Sequence, residues 1–283
     1  MPELPEVETI KLELNQLIVG KKITSVDINL AKQVKMPACR FFSIVEGAKI
    51  SKVRRRAKVI IIDLVKKYHI VIHLKMTGQL IFKKKNKLAG GGHPIFHDIK
   101  KLPNKYSHVI FNFSDNSRLF FNDTRQFGWV KLFNSKQMEE FEDEFGPEPL
   151  EISLEDFKKL FEKNKSVIKP LLMNPSFIAG VGNIYAAEAL FMSQILPTRK
   201  SDSLNDNELK RLYQSLRKIL KLAIKMKGTT ASDYVDAFGR AGSMEKYLRV
   251  YGREGKPCKR CKNRLVSIKQ GSRATVFCNS CQK

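Results

Sequence analysis

The chain has 283 residues, room for two domains of ordinary size, and at 42% hydrophobic it can bury real cores. Its 52 Lys and Arg against 28 Asp and Glu give a net charge of +24, which disfavours a compact state by self-repulsion and points to a polyanionic partner, nucleic acid before an anionic membrane. It has no apolar run of about eighteen residues, the least that would span a bilayer. The N-terminus lacks the basic and apolar regions of a signal peptide, so a cytoplasmic location is expected.

Helical spacing of Val7, Ile10, Leu14 and Leu17 predicts a helix over 5–19, with Pro5 in its first turn and Gly20 at its stop. Pro2 and Glu3 then stand just before its partly positive end. Short strands are expected over 22–29, 58–65, 68–74, 79–82, 108–113, 119–121 and 129–133. Many short strands without intervening helices predict a β-sandwich or barrel-like domain. Residues 86–104, with three successive glycines, read as a long loop. Character changes at Gly146-Pro147-Glu148-Pro149, after which helices are expected over 153–162, 166–173, 182–192 and 207–226. Ser153 with Asp156 forms a capping-box-like start.

Five cysteines in a reducing compartment are expected to be unpaired. Cys39 stands alone and reads as a small buried hydrophobe. Cys258-x2-Cys261, sixteen residues, then Cys278-x2-Cys281 is the spacing of a closed tetrahedral site, and one structural Zn2+ is its expected occupant. Lys262, Arg264, Lys269 and Arg273 lie between the pairs, on an expected β-hairpin suited to phosphates.

The chain opens Met1-Pro2-Glu3-Leu4-Pro5-Glu6. Removal of Met1 would free a secondary amine, and α-amino groups titrate at about 7.7–8.0, low enough to attack an aldehyde-like carbon. In DNA that carbon is C1′ of a sugar that has lost its base. Glu3 and Glu6 stand ready as acid or base beside it. The plainer reading is an N-cap and an acidic first helical turn, and spacing alone favours it.

The opening PELPEVET resembles that of bacterial formamidopyrimidine-DNA glycosylases. Further similar motifs follow in order: Arg55-Arg56-Ala57-Lys58, His73-Leu74-Lys75-Met76-Thr77-Gly78, Asp123-Thr124-Arg125-Gln126-Phe127-Gly128, Gly146 to Leu150, Ala179 to Tyr185, Val250 to Gly255 and the cysteine cluster. Several independent motifs in one order, spanning nearly the whole chain, are far more specific than any one. The resemblance implies an α+β fold, with an N-terminal β-sandwich flanked by helices and a C-terminal helical domain holding a helix–two-turn–helix and a zinc β-hairpin. It implies a catalytic domain over 1–134, a linker over 135–152, a helix–two-turn–helix domain over 153–255 and a zinc finger over 256–283. DNA would lie in the cleft between domains.

It also implies roles. Pro2 would be the nucleophile, Glu3 the acid and base, and Glu6 its support. Lys58, by itself only a solvated charge, would serve the β-elimination step. Arg273 would hold phosphates flanking the lesion and assist δ-elimination. Lys165, Lys169, Asn183 and Tyr106 would contact DNA. Met76, Arg125 and Phe127 would fill the gap left by an everted nucleotide, although composition alone would place Met76 and Phe127 in a core. The activity implied is excision of 8-oxoguanine and formamidopyrimidines from double-stranded DNA, then β,δ-elimination at the abasic site, by a monomer near the bacterial nucleoid. Competing readings are the oxidised-pyrimidine branch of the same enzymes, a non-enzymatic zinc protein that binds DNA, and an RNA- or membrane-binding protein. Tyr106 stands where a histidine is common, Gln126 where arginine is frequent, and Asn164 where lysine is. Met244, closing the segment 239–244 that aligns with the cover over the everted base, replaces an aromatic.

Overall fold

The computed structural model describes residues 1–85, 87–92, 101–229, 235–236 and 243–283. The chain forms two compact units: Met1–Asp143 with Met226–Ser243, and Glu144–Lys225 with Met244–Lys283.

The first unit runs α1 (Leu4–Ile18), β1 (Ile23–Ile28), α2 (Ala38–Val45), β2 (Ile50–Arg56), β3 (Val59–Leu64), β4 (Tyr68–His73), β5 (Gly78–Lys84), β6 (Lys87–Gly92), β7 (Ser107–Phe113), β8 (Arg118–Asp123), β9 (Trp129–Asn134), α3 (Ser135–Asp143) and, later in the chain, β10 (Val235–Asp236). The strands make two antiparallel sheets, ordered β1-β7-β8-β5-β6-β10 and β2-β3-β4-β9. Alternate residues of both enter one core: Val26, Leu80, Phe82, Phe111 and Phe121 from the first, Ile60, Ile62, Ile70, Ile72 and Val130 from the second. Val7, Ile10, Leu14 and Ile18 add the apolar stripe of α1 to the same core. This is the expected β-sandwich flanked by helices.

The second unit runs α4 (Leu154–Lys159), α5 (Ile168–Leu172), α6 (Asn183–Ser193), α7 (Asp206–Lys225), β11 (Val266–Gln270) and β12 (Arg273–Phe277). Ser153 caps α4 as expected, its Oγ accepting the Asp156 N–H at 3.1 Å. Helices α5 and α6, joined by turns, are the helix–two-turn–helix, and β11 pairs with β12 as the hairpin.

Several expectations need correction. Residues 87–92, expected as loop, are strand β6, paired with β5 and β10. Its glycines hide it, since glycine is depleted in strands. Gly92 serves close approach, because a Cβ there would stand 2.4 Å from the Gly78 carbonyl oxygen. The rest of the expected loop, Asn86 and 93–100, lies outside the described residues. Strand β2 is not among the expected strands: its register shifts between Ile50 and Lys52, so the buried Ile50 and Val53 do not alternate. Cys39 is exposed, because α2 turns Phe41 and Val45 inward instead.

Candidate active site

Pro5 occupies the first turn of α1, and Glu3 is its N-cap. Pro2, Glu3 and Glu6 are all buried, Glu3 with 4% of its surface exposed. Glu6 Oε2 accepts the Glu3 backbone N–H at 2.9 Å, one half of a reciprocal capping box. Glu6 Oε1 accepts the N–H of Thr229 at 3.0 Å. One carboxylate therefore fixes both the chain start and a turn more than two hundred residues away. Gly228 belongs to that turn at φ +81°, and a Cβ on it would stand 2.8 Å from the Glu6 carboxylate. Gly228→Ala is expected to lower stability by about 1–3 kcal/mol through the left-handed backbone and the displaced carboxylate, read by thermal denaturation. An unchanged Tm would show that the latch contributes nothing.

Lys58 follows Ala57 (φ +51°) in the tight turn between β2 and β3. Arg55 ties this turn to α1, its Nε donating to Glu8 at 2.8 Å and its Nη1 to the Ala57 carbonyl at 2.9 Å. Neither Arg55 nor Glu8 is singled out by sequence as a positioning pair.

His73, at the end of β4, accepts the Lys75 backbone N–H on Nδ1 at 2.9 Å. Burial first, then the positive charges of Lys75 and Lys58, pushes its pKa down from 6.5 to about 3. A neutral imidazole with Nδ1 as acceptor carries its proton on Nε2. The sign for stability follows. Between pH 6.5 and about 3 the unfolded chain binds the proton and the folded one does not, so stability is full above 6.5 and falls as pH drops through that window. His73→Gln is expected to flatten this acid-side loss in denaturant melts; an identical slope in both proteins would refute it.

Met76, Arg125 and Phe127 come together at the surface. Met76 is 44% and Phe127 54% exposed, which excludes core packing for both. The Arg125 guanidinium lies 4.8 Å from the Phe127 ring centroid, and its Nη1 lies 3.3 Å from the Met76 sulfur. The buried Asp123 carboxylate shapes this loop: it accepts the Thr77 hydroxyl, the Arg125 N–H at 3.2 Å and the Gly128 N–H at 2.7 Å. Gln126 sits at φ +58° within it. Tyr106 is half-buried, and its carbonyl accepts the Asp123 N–H at 3.1 Å.

In the second unit Lys165 and Arg273 are exposed, and Lys169 is buried. Lys169 Nζ donates to Asn183 Oδ1 at 2.5 Å and to Thr275 Oγ1 at 2.7 Å. Asn183 Nδ2 also donates to the Ala274 carbonyl at 3.3 Å, so Lys169 and Asn183 together tie the start of α6 to the strand carrying Arg273. Asn164 is structural, its side chain donating to the Leu160 carbonyl at 2.7 Å. Met244 is fully buried; residues 239–242 lie outside the described residues. Glu188, unsuspected from sequence, is buried in α6 and accepts the successive N–H groups of Arg249, Val250 and Tyr251 at 2.8–3.0 Å. Burial pushes its carboxyl pKa up against those donors.

The four sulfurs of Cys258, Cys261, Cys278 and Cys281 all lie within 4.8 Å of one another. Two pairs stand 3.9 and 3.5 Å apart. Tetrahedral zinc with Zn–S of about 2.3 Å needs S···S of roughly 3.8 Å, so the set fits the ion. Burial and the neighbouring thiols push Cys281 up to about 12, while against burial the backbone N–H groups of Cys261 and Arg260 bring Cys258 down to about 7, so ionising all four together needs a dication.

Residues 1–130 match the formamidopyrimidine-DNA glycosylase N-terminal domain, 145–235 its H2TH domain, and 255–283 a zinc finger found in FPG and IleRS. The formamidopyrimidine-DNA glycosylase of Pelotomaculum thermopropionicum is 40% identical over 100% of this chain and 99% of its own length. The chain belongs to the formamidopyrimidine-DNA glycosylase family. A Streptococcus mutans member is 37% identical over the full length of both. Lactococcus lactis Fpg, solved with abasic-site DNA and, as a point mutant, with Fapy-dG DNA, is 30% identical with a TM-score of 0.87 over 100% of both chains. The four-cysteine cluster thus holds this family's one structural zinc.

Proposed function

We propose that this family member excises oxidised purines, 8-oxoguanine and formamidopyrimidines, from duplex DNA and cleaves the abasic strand by β,δ-elimination. The observation that carries this reading is the full-length match to formamidopyrimidine-DNA glycosylases, 40% identical over 100% of the chain, with Pro2, Glu3 and Glu6 buried together at the head of α1.

In this reading, loss of Met1 frees the Pro2 nitrogen. That nitrogen bonds to C1′ as the bond to the base breaks, and the departing base takes a proton. Glu3 gives a proton to the sugar ring oxygen as the ring opens, leaving a Schiff base between Pro2 and C1′. Loss of a C2′ proton then expels the 3′ phosphate, and a second elimination expels the 5′ phosphate. Lys58, His73 and Arg273 hold those phosphates, and Lys165 adds charge for the backbone. Lys169 acts through Asn183, because it is itself buried. Met76, Arg125 and Phe127 fill the space of the everted nucleotide, with Tyr106 beside them. Zinc, when bound, supplies the fold of the hairpin that carries Arg273 and takes no part in the chemistry. The catalytic domain is assigned to the sandwich unit, 1–134 extended by α3 and by Met226–Ser243, with a linker over 144–152, the DNA-gripping helices over 153–225 and the zinc finger over 256–283. The protein works as a cytoplasmic monomer on the nucleoid.

Borohydride trapping on a duplex with one 8-oxoguanine opposite cytosine tests this. A covalent adduct mapping to Pro2 is expected. Intact DNA binding with no adduct, on abasic duplex as well, would leave a DNA-binding protein without the chemistry.

A further inference from the structure

At the far end of β9 from Phe127, a cavity of about 350 Å³ opens between the strand end and the segment 34–44. Val34, Met36, Ile44, Tyr68, Leu132 and Phe133 make its apolar wall. Lys35, Arg40 and Lys131 complete the lining with Asn134 and Gln137, and no acid is among the lining residues. Some cations beside the sheets of this unit are neutralised, Lys21 and Lys84 by Asp115, Arg54 by Asp63 and Glu142, Arg55 by Glu8, while others such as Lys52 and Arg118 stand singly rather than grouped about a cavity. Lys35, Arg40 and Lys131 make no ion pair among the described residues.

Lys35 also sits at φ +59°, a left-handed conformation costly for a residue with a Cβ. Strand β9 ends its sheet among the described residues, so alternate backbone N–H and C=O groups along it are turned away from the ladder. A nucleobase is a poor occupant, because the Phe133 ring already carries Lys131 Nζ at 5.8 Å and packs on Phe141 at 5.4 Å. Little ring face remains for stacking. An extended peptide meets each feature: backbone to the strand edge, a bulky apolar side chain in the cavity, carboxylates on the three cations.

We propose that this surface docks an acidic peptide segment of a partner protein, one carrying a bulky apolar residue among its carboxylates. Lys131 Nζ lies 4.7 Å from the Trp129 ring, so the lining reaches along β9 toward Trp129, while Asn134 and Gln137 line it at the strand's other end. A peptide held at the Asn134 end by Lys35 and Arg40 leaves Phe127 to the DNA, and the site serves recruitment.

The test is fluorescence anisotropy with a short fluorescein-labelled peptide of aspartates ending in Phe-Asp-Phe. Saturable binding is expected, weakened at least ~10-fold by Lys35→Glu with Arg40→Glu, while excision of 8-oxoguanine by that variant stays at the native rate. Lys35→Gln with Arg40→Gln, should the reversal fail to fold, is expected to lose at least ~3-fold. Adding peptide is expected to protect from hydrogen exchange those backbone amides of 130–133 that face away from β4. No saturable binding, equal binding by native protein and variants, or displacement of the peptide by oligothymidylate or undamaged duplex would overturn the proposal. The last outcome would give the surface to nucleic acid. Because the peptide-binding readout uses no lesion, its failure leaves the glycosylase reading untouched.

Discussion

A duplex carrying one 8-oxoguanine is expected to survive incubation with the Pro2→Gly variant almost uncut, while the variant still binds it. Glycine at this position keeps an amine, so the loss comes from geometry and from amine type. Proline's ring fixes φ and is buried at the head of α1, and the capping pair behind it fixes the following N–H. Glycine is free to rotate there, and the nitrogen spends little time aligned with C1′. Positioning is worth several orders of magnitude in well-oriented reactions, so single-turnover cleavage is expected to fall by at least ~100-fold with binding changed by less than ~3-fold. Equal loss of both would indicate a folding defect and count against a catalytic Pro2. Native and variant melts separate these cases.

Removing zinc is expected to have an effect of similar size by a different route. Structural zinc contributes roughly 10–16 kcal/mol of apparent binding energy in small finger peptides, comparable to the whole stability of a domain. Here the ligand thiols belong to a small core, where Cys258 and Cys278 pack with Ala187, Phe191, Leu265 and Val276. The C-terminus is strapped to the end of α6 through it: Gln282 accepts the Cys278 N–H at 2.9 Å and donates to the Ile195 carbonyl at 2.8 Å. Chelation, or Cys278→Ser, is expected to unfold the hairpin, displace Arg273 and the Thr275 partner of Lys169, and weaken duplex binding by more than ~10-fold. Mass spectrometry of the native protein should show one zinc per chain. A metal-free protein with undiminished binding would sink the assignment.

The helices and most strands are legible because apolar residues recur at the right period, as in α1 and in β3, where alternate residues feed the shared core. Legibility fails where a backbone irregularity breaks the period. The bulge in β2 shifts its inward residues, and β6 is held by the close approach of Gly92 to Gly78. Motif residues nominate candidates for the chemistry but not their support. Glu188, Glu8 and Gln282 look like surface polar residues in the sequence, and only folding shows what each carboxylate or amide grips. Met76 and Phe127 mislead in the other direction, being apolar residues that the fold leaves in solvent.

The carboxylate of Glu6 waits for a partner the ribosome has not yet made. Met226–Ser243 belongs to the same unit as Met1–Asp143 but follows it in synthesis after a whole stretch of the other unit. The separation is more than eighty residues. At translation speeds of about 5–20 residues per second, the nascent sandwich spends roughly 4–16 s with Glu6 lacking the Thr229 N–H and Glu13 lacking Lys227. A fragment ending at residue 143 would be stranded permanently in that state. A sandwich expressed alone should therefore carry Met226–Ser243 on a linker, and slow codons after residue 243 would give the unit time to close.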